Sequence, residues 1–474
     1  MKSLKSFKQN QQGNLLLFAM VFGAVSFTII IGGVSGYAMY ENRASVYKHN
    51  REMAFQIAEA GANYYRWHLA HSNDDYWDGQ GPTSTGPYVH DYKDKNGTTI
   101  GYFSLSITPP LLGSSVIVVS STGWIIGQEV SKRTIKIRVG FPAMTDYAFL
   151  TNKDVWIGNT EVVHGKLHAN GGVRFDGLGD APVASAKPIY TCQPGHCCNP
   201  PAVHDGVWGI GGPQSYWEYP MPSQDFLAVT AKLTEIKENA QDGGIYINSS
   251  GKQGWRIRFT SNGKVRARKV NTVYCAYGAS TYDGWRYDCI DINSETGSEI
   301  EYNMPANGYI YVEDRVWVDG TVNGRATLGV KSGKSIIING SIVYSAKDGN
   351  HVLGLISPQD ILIPLYIENN LEIDAALLAQ NGAAQRYYYP PGYCWYCQPV
   401  HALKNSIYVY GSVITNEVWT WSWVSGGCGG GGGPTVSGFQ NTNSTYDSNL
   451  TYGPPPGFPV GQEYNLISWE EMEY

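Results

Sequence analysis

The sequence is poor in charged residues. Only 16% of its 474 residues are Asp, Glu, Lys or Arg, whereas about a quarter is usual for a soluble domain. This composition argues against a coiled coil and against a charge-rich disordered chain. The formal charge of −6 at pH 7 also gives no overall positive field for nucleic acid, so an anionic partner needs a local basic patch.

Common signatures of catalysis are missing as well. The chain has no Gly-x-Ser-x-Gly, His-Glu-x-x-His or phosphate-loop motif, which mark serine hydrolases, zinc proteases and nucleotide-binding enzymes. We therefore predict no catalytic, metal-binding or cofactor-binding residue and no cofactor. One minor candidate stays open: in an alternating strand, His164 and His168 would share a side with Glu161 or Asp154 nearby.

The sequence is rich in residues that favour strands and turns. It contains Gly 56, Tyr 34 and Trp 14 times, which favours a mainly β protein. It also has eight cysteines, an even number that predicts disulfides in an exported protein. The best local pairs are Cys275 with Cys289 and Cys394 with Cys397, and zinc binding through Cys394, Cys397 and the group near Cys192 is the alternative.

The N-terminal region predicts a membrane anchor. Residues 9–40 contain no charged side chain, and an apolar run extends from Leu15 to Tyr40. As a helix this run is about 39 Å long, which is enough to cross a bilayer. Lys2, Lys5 and Lys8 precede it, so we expect a cytoplasmic leader at residues 1–13, a transmembrane part at residues 14–40 and an extracytoplasmic body. A cleavable signal peptide ending near Ala38 is the alternative.

The helical pattern continues beyond the membrane. Residues 41–75 contain no proline and carry apolar or small residues at helical spacing, which predicts one helix of more than fifty residues. A stripe of small residues would let a second helix approach closely; its members are Gly32, Gly36, Ala54, Ala58 and Gly61. An ordinary single-pass anchor with a helical stalk is the alternative.

The same region resembles a known family. A basic start, Gln11-Gln12-Gly13, an immediate apolar run and the segment Phe55-Gln-Ile-Ala-Glu-Ala-Gly61 resemble the N-terminal module of type IV pilins and pseudopilins, in particular PilX-type minor pilins. The resemblance covers residues 1 to about 75. It implies that prepilin peptidase cuts between Gly13 and Asn14, that the helix packs in the centre of a filament, and that the partners are other pilin-like subunits and the pilus assembly machinery.

Two positions depart from the family pattern. Phe18 stands where major pilins carry a glutamate, and Asn14 replaces the usual Phe or Met. This favours a minor or tip subunit over a major subunit. The whole chain also resembles large PilX-like surface proteins of candidate-phylum bacteria.

The rest of the chain predicts two kinds of β-structure. Residues 88–141 alternate as paired strands and predict a small antiparallel, pilin-like head. Short strands with single-glycine corners in residues 142–186 and 308–425 predict a parallel β-helix or solenoid, with a β-sandwich as the alternative. Residues 187–307 look like an inserted α+β subdomain with a helix at residues 224–241, and residues 426–474 form a Gly/Pro-rich C-terminal segment.

Two surfaces are candidates for binding. On a hairpin at residues 255–270, basic residues alternate with apolar ones and share one face; they are Arg256, Arg258, Lys264, Arg266 and Arg268. That face would suit a polyanion such as DNA, and a solvated surface is the alternative. Trp419, Trp421 and Trp423 would offer a platform for a glycan or partner, with core packing as the alternative.

These patterns predict a structural and adhesive protein without enzymatic activity. We expect a minor subunit of a type IV pilus or pseudopilus, held in the membrane lipid and displaying a β-rich body at the cell surface. Two alternatives stay open: a single-pass surface adhesin outside any filament, and a membrane-anchored β-helix enzyme acting on carbohydrate.

Overall fold

A computed structural model describes residues 11–111, 113–196, 198, 200–226, 232–391, 399–425, 433–461 and 464–472. The predicted pair Cys394 and Cys397 lies outside these residues. The chain divides into two compact units. The helix–sheet unit comprises residues 1–109, 117–139 and 466–474, and the body comprises residues 110–116 and 140–465.

The described part of the chain contains three α-helices and is otherwise mainly β. The helices are α1 (Gln11–His71), α2 (Lys232–Gln241) and α3 (Pro399–Ala402). The first strands are β1 (Tyr88–Lys93), β2 (Thr99–Thr108), β3 (Val116–Ile125) and β4 (Arg133–Gly140). The next are β5 (Phe149–Thr151), β6 (Val155–Ile157), β7 (Glu161–His164), β8 (Leu167–Ala169), β9 (Val173–Phe175), β10 (Leu178–Gly179), β11 (Val183–Ser185), β12 (Ile189–Cys192), β13 (Ala202–Asp205), β14 (Val207–Trp208) and β15 (Trp217–Glu218).

The second half of the chain continues in the same style. Its strands are β16 (Ile245–Ile247), β17 (Gly254–Thr260), β18 (Lys264–Ser280), β19 (Gly284–Asn303), β20 (Tyr309–Val312), β21 (Val316–Val322), β22 (Arg325–Val330), β23 (Ile336–Tyr344), β24 (Val352–Ser357), β25 (Ile361–Ile363), β26 (Asn370–Ala379), β27 (Ala384–Arg386), β28 (Leu403–Thr415), β29 (Trp419–Thr420), β30 (Ser422–Val424), β31 (Thr435–Tyr446) and β32 (Asn465–Met472).

The helix–sheet unit combines α1 with a five-stranded sheet. The strand order is β1-β2-β3-β4-β32, and β1, β2 and β3 pair antiparallel. The prediction of one long helix followed by an antiparallel sheet is confirmed. The helix is 61 residues long and contains the single stretch in the described residues that is long and apolar enough to cross a membrane.

The body is built from parallel ladders that stack on three faces. On the first face the pairings run β16, β20, β22, β24, β26, β28, β5, β8, β11 and β15. On the second they run β17, β21, β23, β26, β28, β31, β7 and β10. The third face holds β23, β25, β27 and β29 and, separately, β6, β9 and β14. These ladders fit the predicted parallel β-helix better than a β-sandwich, whose sheets are antiparallel.

Inward side chains stack from coil to coil and form the core. One row contains Leu377, Val413, Phe149, Leu167 and Val183, which are register partners in successive strands and are all buried. Each coil therefore buries its apolar face against the next, and stacking supplies the core that a single coil lacks.

The coils do not stack in the order of the sequence. The C-terminal half of β28 pairs with β5, and β31 pairs with β7. The first coils in sequence, residues 149–218, thus lie on the last coils, residues 403–446. The segment between β15 and β16 connects the two ends of the first ladder.

Two predicted boundaries need correction. Residues 187–307, expected as an inserted subdomain, supply β16 and β17, which pair in parallel with β20 and β21 in the stack. Residues 426–474, expected as a Gly/Pro-rich C-terminal segment, supply β31 to the body and β32 to the sheet of the helix–sheet unit. Local composition marked the turns in these segments but not the distant strands with which they pair.

The helix predicted at residues 224–241 is shorter. Its described part, α2, begins at Lys232, and Gln224, Asp225 and Phe226 are not helical. Ile236 and Ala240 of α2 are buried in a cluster on the outer side of the first ladder, together with Tyr311. The apolar side of the helix therefore covers part of the stack.

Candidate assembly module and candidate binding cleft

The helix α1 has two halves with different surroundings. In the first half large apolar side chains such as Phe22 and Ile30 are exposed. In the second half Ile57, Tyr65 and Leu69 are fully buried. Exposed apolar surface of this extent on one element marks a membrane or helix-packing surface.

Glycine allows α1 to lie directly on the sheet. A Cβ atom at Gly123 of β3 would lie 2.4 Å from the Ala54 carbonyl oxygen and 2.4 Å from the Ala58 nitrogen. Backbone atoms of a helix cannot rotate away from such a contact, so the close approach requires glycine at this position. The strand β3 therefore passes against α1 at Gly123 and continues to Ile125.

The predicted small-residue stripe is divided between two environments. Ala54 and Ala58 are fully buried, and a Cβ atom at Gly61 would meet Ser121 and Phe103 of the sheet. These three residues pack against the chain's own sheet and do not offer a surface to a second helix. Gly32 and Gly36 have no neighbouring atom within 4 Å of a Cβ position and keep an open face; Gly13 and Asn14 lie within α1.

The last strand completes the sheet of this unit. Arg138 of β4 donates to Glu470 of β32 at 2.7 Å, and Arg133 pairs with Glu471. On α1, the Phe55 ring meets the Trp469 ring edge-on at 5.7 Å. The chain therefore forms residues 140–465 of the body between two neighbouring strands of one sheet.

The predicted basic face exists, but acidic groups neutralise most of it. The five basic residues lie on the outward side of β17 and β18, as the alternation predicted. The ion pairs are Arg256 with Asp319 and Glu295, Arg258 with Asp319, Arg266 with Glu299 and Glu301, and Arg268 with Glu295. Lys264 donates to Asn303. Five cations thus face four carboxylates, and the sequence pattern missed this because the carboxylates come from β19 and β21.

The cysteines of the same hairpin are joined. Cys275 and Cys289 stand directly opposite each other in β18 and β19 and form a disulfide. A second disulfide joins Cys192 and Cys198, the region considered for zinc. No group of three or more potential metal ligands occurs among the described residues.

The two histidines considered as a site are not brought together. A corner at Gly165, with φ +125°, separates β7 from β8. His164 and His168 therefore lie in different strands, and the alternation of side chains within one strand does not place them on one side. The Nδ1 atom of His164 is 2.7 Å from the Asp180 carboxylate. His168 is buried, and burial lowers its pKa.

A cleft opens where the two halves of the stack meet. On two faces the ladders are continuous across this junction through β28 with β5 and β31 with β7. On the third face no pairing within the described residues joins β29 to β6, which pair instead with β27 and β9. The gap forms a cleft of about 420 Å³ with an adjoining inner cavity of about 90 Å³.

Tryptophan side chains form the walls of this cleft. Trp156 of β6 is half-buried, and Trp419 is buried against the Phe149 ring at 4.1 Å. Trp421 is buried, whereas Trp423 is half-buried and donates its indole N–H to the Arg386 carbonyl at 2.9 Å. The three tryptophans of the Trp-x-Trp-x-Trp segment therefore do not form one exposed platform, since two of them are core residues.

Some residues that line this region carry buried polar atoms without partners. The Oε2 atom of Glu161 and the indole nitrogen of Trp421 are buried and have no hydrogen-bond partner, and both residues line the inner cavity. Burial raises the pKa of Glu161 to about 7. His196 lines the outer cleft with a buried, unpartnered Nδ1 atom, and burial lowers its pKa.

Aromatic rings continue from the cleft along the surface. Trp423 meets Tyr388 at 5.8 Å, Tyr388 meets Trp285 at 5.7 Å, and Trp285 stacks on Tyr277 at 5.0 Å. We call these four residues the aromatic row. An isolated bridge between Ala279 and Tyr388 holds the β18–β19 hairpin beside the stack, so these residues are neighbours despite their distance in sequence.

Comparisons with known proteins give little guidance. No protein-family model and no curated protein matches the sequence. Among solved structures, the crystal structure of the competence-associated pilin ComZ from Thermus thermophilus aligns with 89% of this chain and 97% of its own chain, at 14% identity and a TM-score of 0.29. A likeness at this score carries no argument for a shared fold or function.

Proposed function

We propose that this protein is a membrane-inserted, pilin-like minor subunit of a type IV pilus or pseudopilus that displays its β-rich body outside the cell. The observation that carries the proposal is the division of α1. Its first half exposes an uncharged apolar surface, and its second half is packed on an antiparallel sheet.

The exposed half of α1 requires a non-aqueous environment. Burial of apolar surface contributes about 25 cal/mol per Å², so large side chains such as Phe22 and Ile30 strongly favour lipid or other apolar helices over water. A bilayer satisfies this half before assembly, and the helices of neighbouring subunits satisfy it within a filament. The lysines at residues 2, 5 and 8 keep the N-terminus in the cytoplasm.

The body supports a role in display and adhesion rather than in a reaction. It is a large stacked structure on a chain that anchors at its N-terminus, and it places an aromatic cleft on its surface. We propose no enzymatic activity for the body.

A single-pass adhesin outside any filament is the second candidate. The same exposed apolar helix would anchor it, but it would not need a second face for helix packing. The open face at Gly32 and Gly36 favours the filament, because small residues let helices approach closely within a membrane or fibre.

Filament incorporation of glycine variants tests the proposal. Gly32→Leu should reduce the amount of protein in sheared surface filaments while its amount in the membrane stays constant. Gly23→Leu is the matched control, because it lies on the opposite side of α1 by helical geometry and also has no neighbouring atom within 4 Å. Equal incorporation of wild type and Gly32→Leu would count against filament packing through this face.

A further inference from the structure

We propose that the cleft and the aromatic row together bind a neutral oligosaccharide chain. The inference rests on the proposed display function for its biological use, and it names the class of ligand that the displayed body would bind. The site itself lies entirely within the body.

The aromatic row gives the site its length. Trp285 is 51% exposed and Tyr277 is 45% exposed, while Tyr388 and Trp423 are half-buried and lead towards the cleft. Single exposed aromatic residues are normal on protein surfaces, but four rings in continuous contact make an extended apolar strip. Aromatic faces suit the C–H faces of sugar rings, and the tyrosine hydroxyl and indole N–H groups suit their hydroxyls.

The inner cavity gives the site its polar end. The Glu161 oxygen and the Trp421 indole N–H are both buried without a partner. Each such group costs about 1–3 kcal/mol when it stays unsatisfied. Both residues line the inner cavity, so a sugar hydroxyl in this cavity lies beside a carboxyl group that accepts hydrogen bonds and an indole N–H group that donates them.

The charge of the lining selects a neutral ligand. Among the described residues that line the cleft and the inner cavity there is no lysine or arginine. Burial lowers the pKa of His196, which favours the neutral imidazole. A polyanion would meet no cation among these residues, and the fraction of Glu161 that is ionised at neutral pH would repel it.

The topology explains why the site lies at this place. A continuous solenoid has no gap between coils, but the third face of this stack is interrupted between β29 and β6. Concave sites with a few convergent polar groups are the usual positions of ligand binding. The non-sequential stacking of coils therefore creates the cleft.

Titration calorimetry with defined sugars tests the inference. Full-length protein in detergent micelles is titrated with neutral hexasaccharides of β-linked glucose, N-acetylglucosamine, mannose and xylose, and with a hyaluronan hexasaccharide as the anionic probe. We expect binding of at least one neutral probe together with a change in tryptophan fluorescence. Trp285→Ala should weaken that binding on the order of tenfold, and Glu161→Gln should also weaken it.

Trp67→Ala is the matched control for the row. Trp67 is 59% exposed but belongs to the helix–sheet unit, so its loss should leave binding unchanged. Absence of binding to all four neutral probes, a preference for hyaluronan, or unchanged binding by Trp285→Ala would each overturn the inference. Such a failure is distinguishable from failure of the proposed function, because incorporation of Trp285→Ala into filaments reports on assembly alone.

Discussion

At the scale of single residues, Glu161 is a buried ionisable group in the body. It is the register partner of Thr442 in the second ladder. Thr442 in turn pairs with Ile407, and Ile407 pairs with Leu371, so the equivalent position in these two coils is apolar. A carboxyl group at a core position is disfavoured in its charged form, because it loses hydration there. This explains the rise of its pKa to about 7.

The stability of the body should therefore depend on the ionisation of Glu161. The ordinary pKa of a glutamate is 4.5, and that of Glu161 in the folded protein is about 7. Between these two pH values the Glu161 carboxyl group is protonated in the folded protein and ionised in the unfolded chain. Stability is thus greatest at low pH within this window and falls as the pH rises, by at most about 3 kcal/mol. Chemical denaturation of wild type and Glu161→Gln at pH 4.5 and 7.5 should show a smaller loss in the variant.

The control for this measurement is Glu218→Gln, at an exposed position of the same unit. It should lose stability with pH as the wild type does. If wild type and Glu161→Gln respond equally to pH, Glu161 is not the group responsible.

In the helix–sheet unit, the packing of α1 on the sheet depends on Gly123. Gly123→Ala should lower the free energy of unfolding of this unit by about 1–3 kcal/mol, because the added methyl group overlaps the backbone of α1. Gly33→Ala, in the open part of the helix with no atom within 4 Å, is the control and should not destabilise the unit. Hydrogen exchange of the β3 amides measures the effect, and equal protection in the two variants would contradict the proposed contact.

At the scale of elements, β32 ties the end of the chain to its beginning. Without it, β4 becomes an edge strand with unpaired backbone groups. Deletion of residues 465–474 should therefore increase amide exchange in β4, since this deletion removes a strand partner and the Phe55–Trp469 contact. Arg138→Gln, which removes the exposed ion pair with Glu470 and a hydrogen bond to Ser468, should have little effect because such exposed pairs contribute about 0–1 kcal/mol. Unchanged protection of β4 after the deletion would show that β32 is dispensable.

The sequence predicted those elements whose signals are local. An uncharged apolar run and the absence of proline marked α1, alternation marked β1 and β2, and glycine corners marked the short strands of the stack. The partner of β4 was not predictable, because β32 lies more than three hundred residues later and its own sequence pattern does not indicate the strand with which it pairs. For the same reason the sequence of the hairpin did not predict the ion pairs of Arg256 and Arg258 with Asp319, and the hairpin was expected to carry a free basic face.

At the scale of the whole molecule, one chain anchors, forms a sheet, builds a stack of coils and returns to the sheet. Residues 149–218 stack on the last coils rather than begin the stack, and Ala143 and Val460, near the two ends of the body, form an isolated bridge. The cleft results from this non-sequential stacking of the coils. No local pattern around Trp156 or Glu161 could have located it, since its walls join residues near 160 with residues near 420 only through the pairing of distant strands.

The central claim is that the chain is a processed, pilin-like subunit, and the intact mass and N-terminal peptide of the protein from its native membrane test this claim most directly. The account predicts a mature chain that begins at Asn14, the residue after the proposed prepilin peptidase site. A chain that begins at Met1 in every fraction, including sheared filaments, would contradict it and indicate a permanent anchor, and a chain that begins beyond Ala38 would indicate secretion after signal-peptide cleavage.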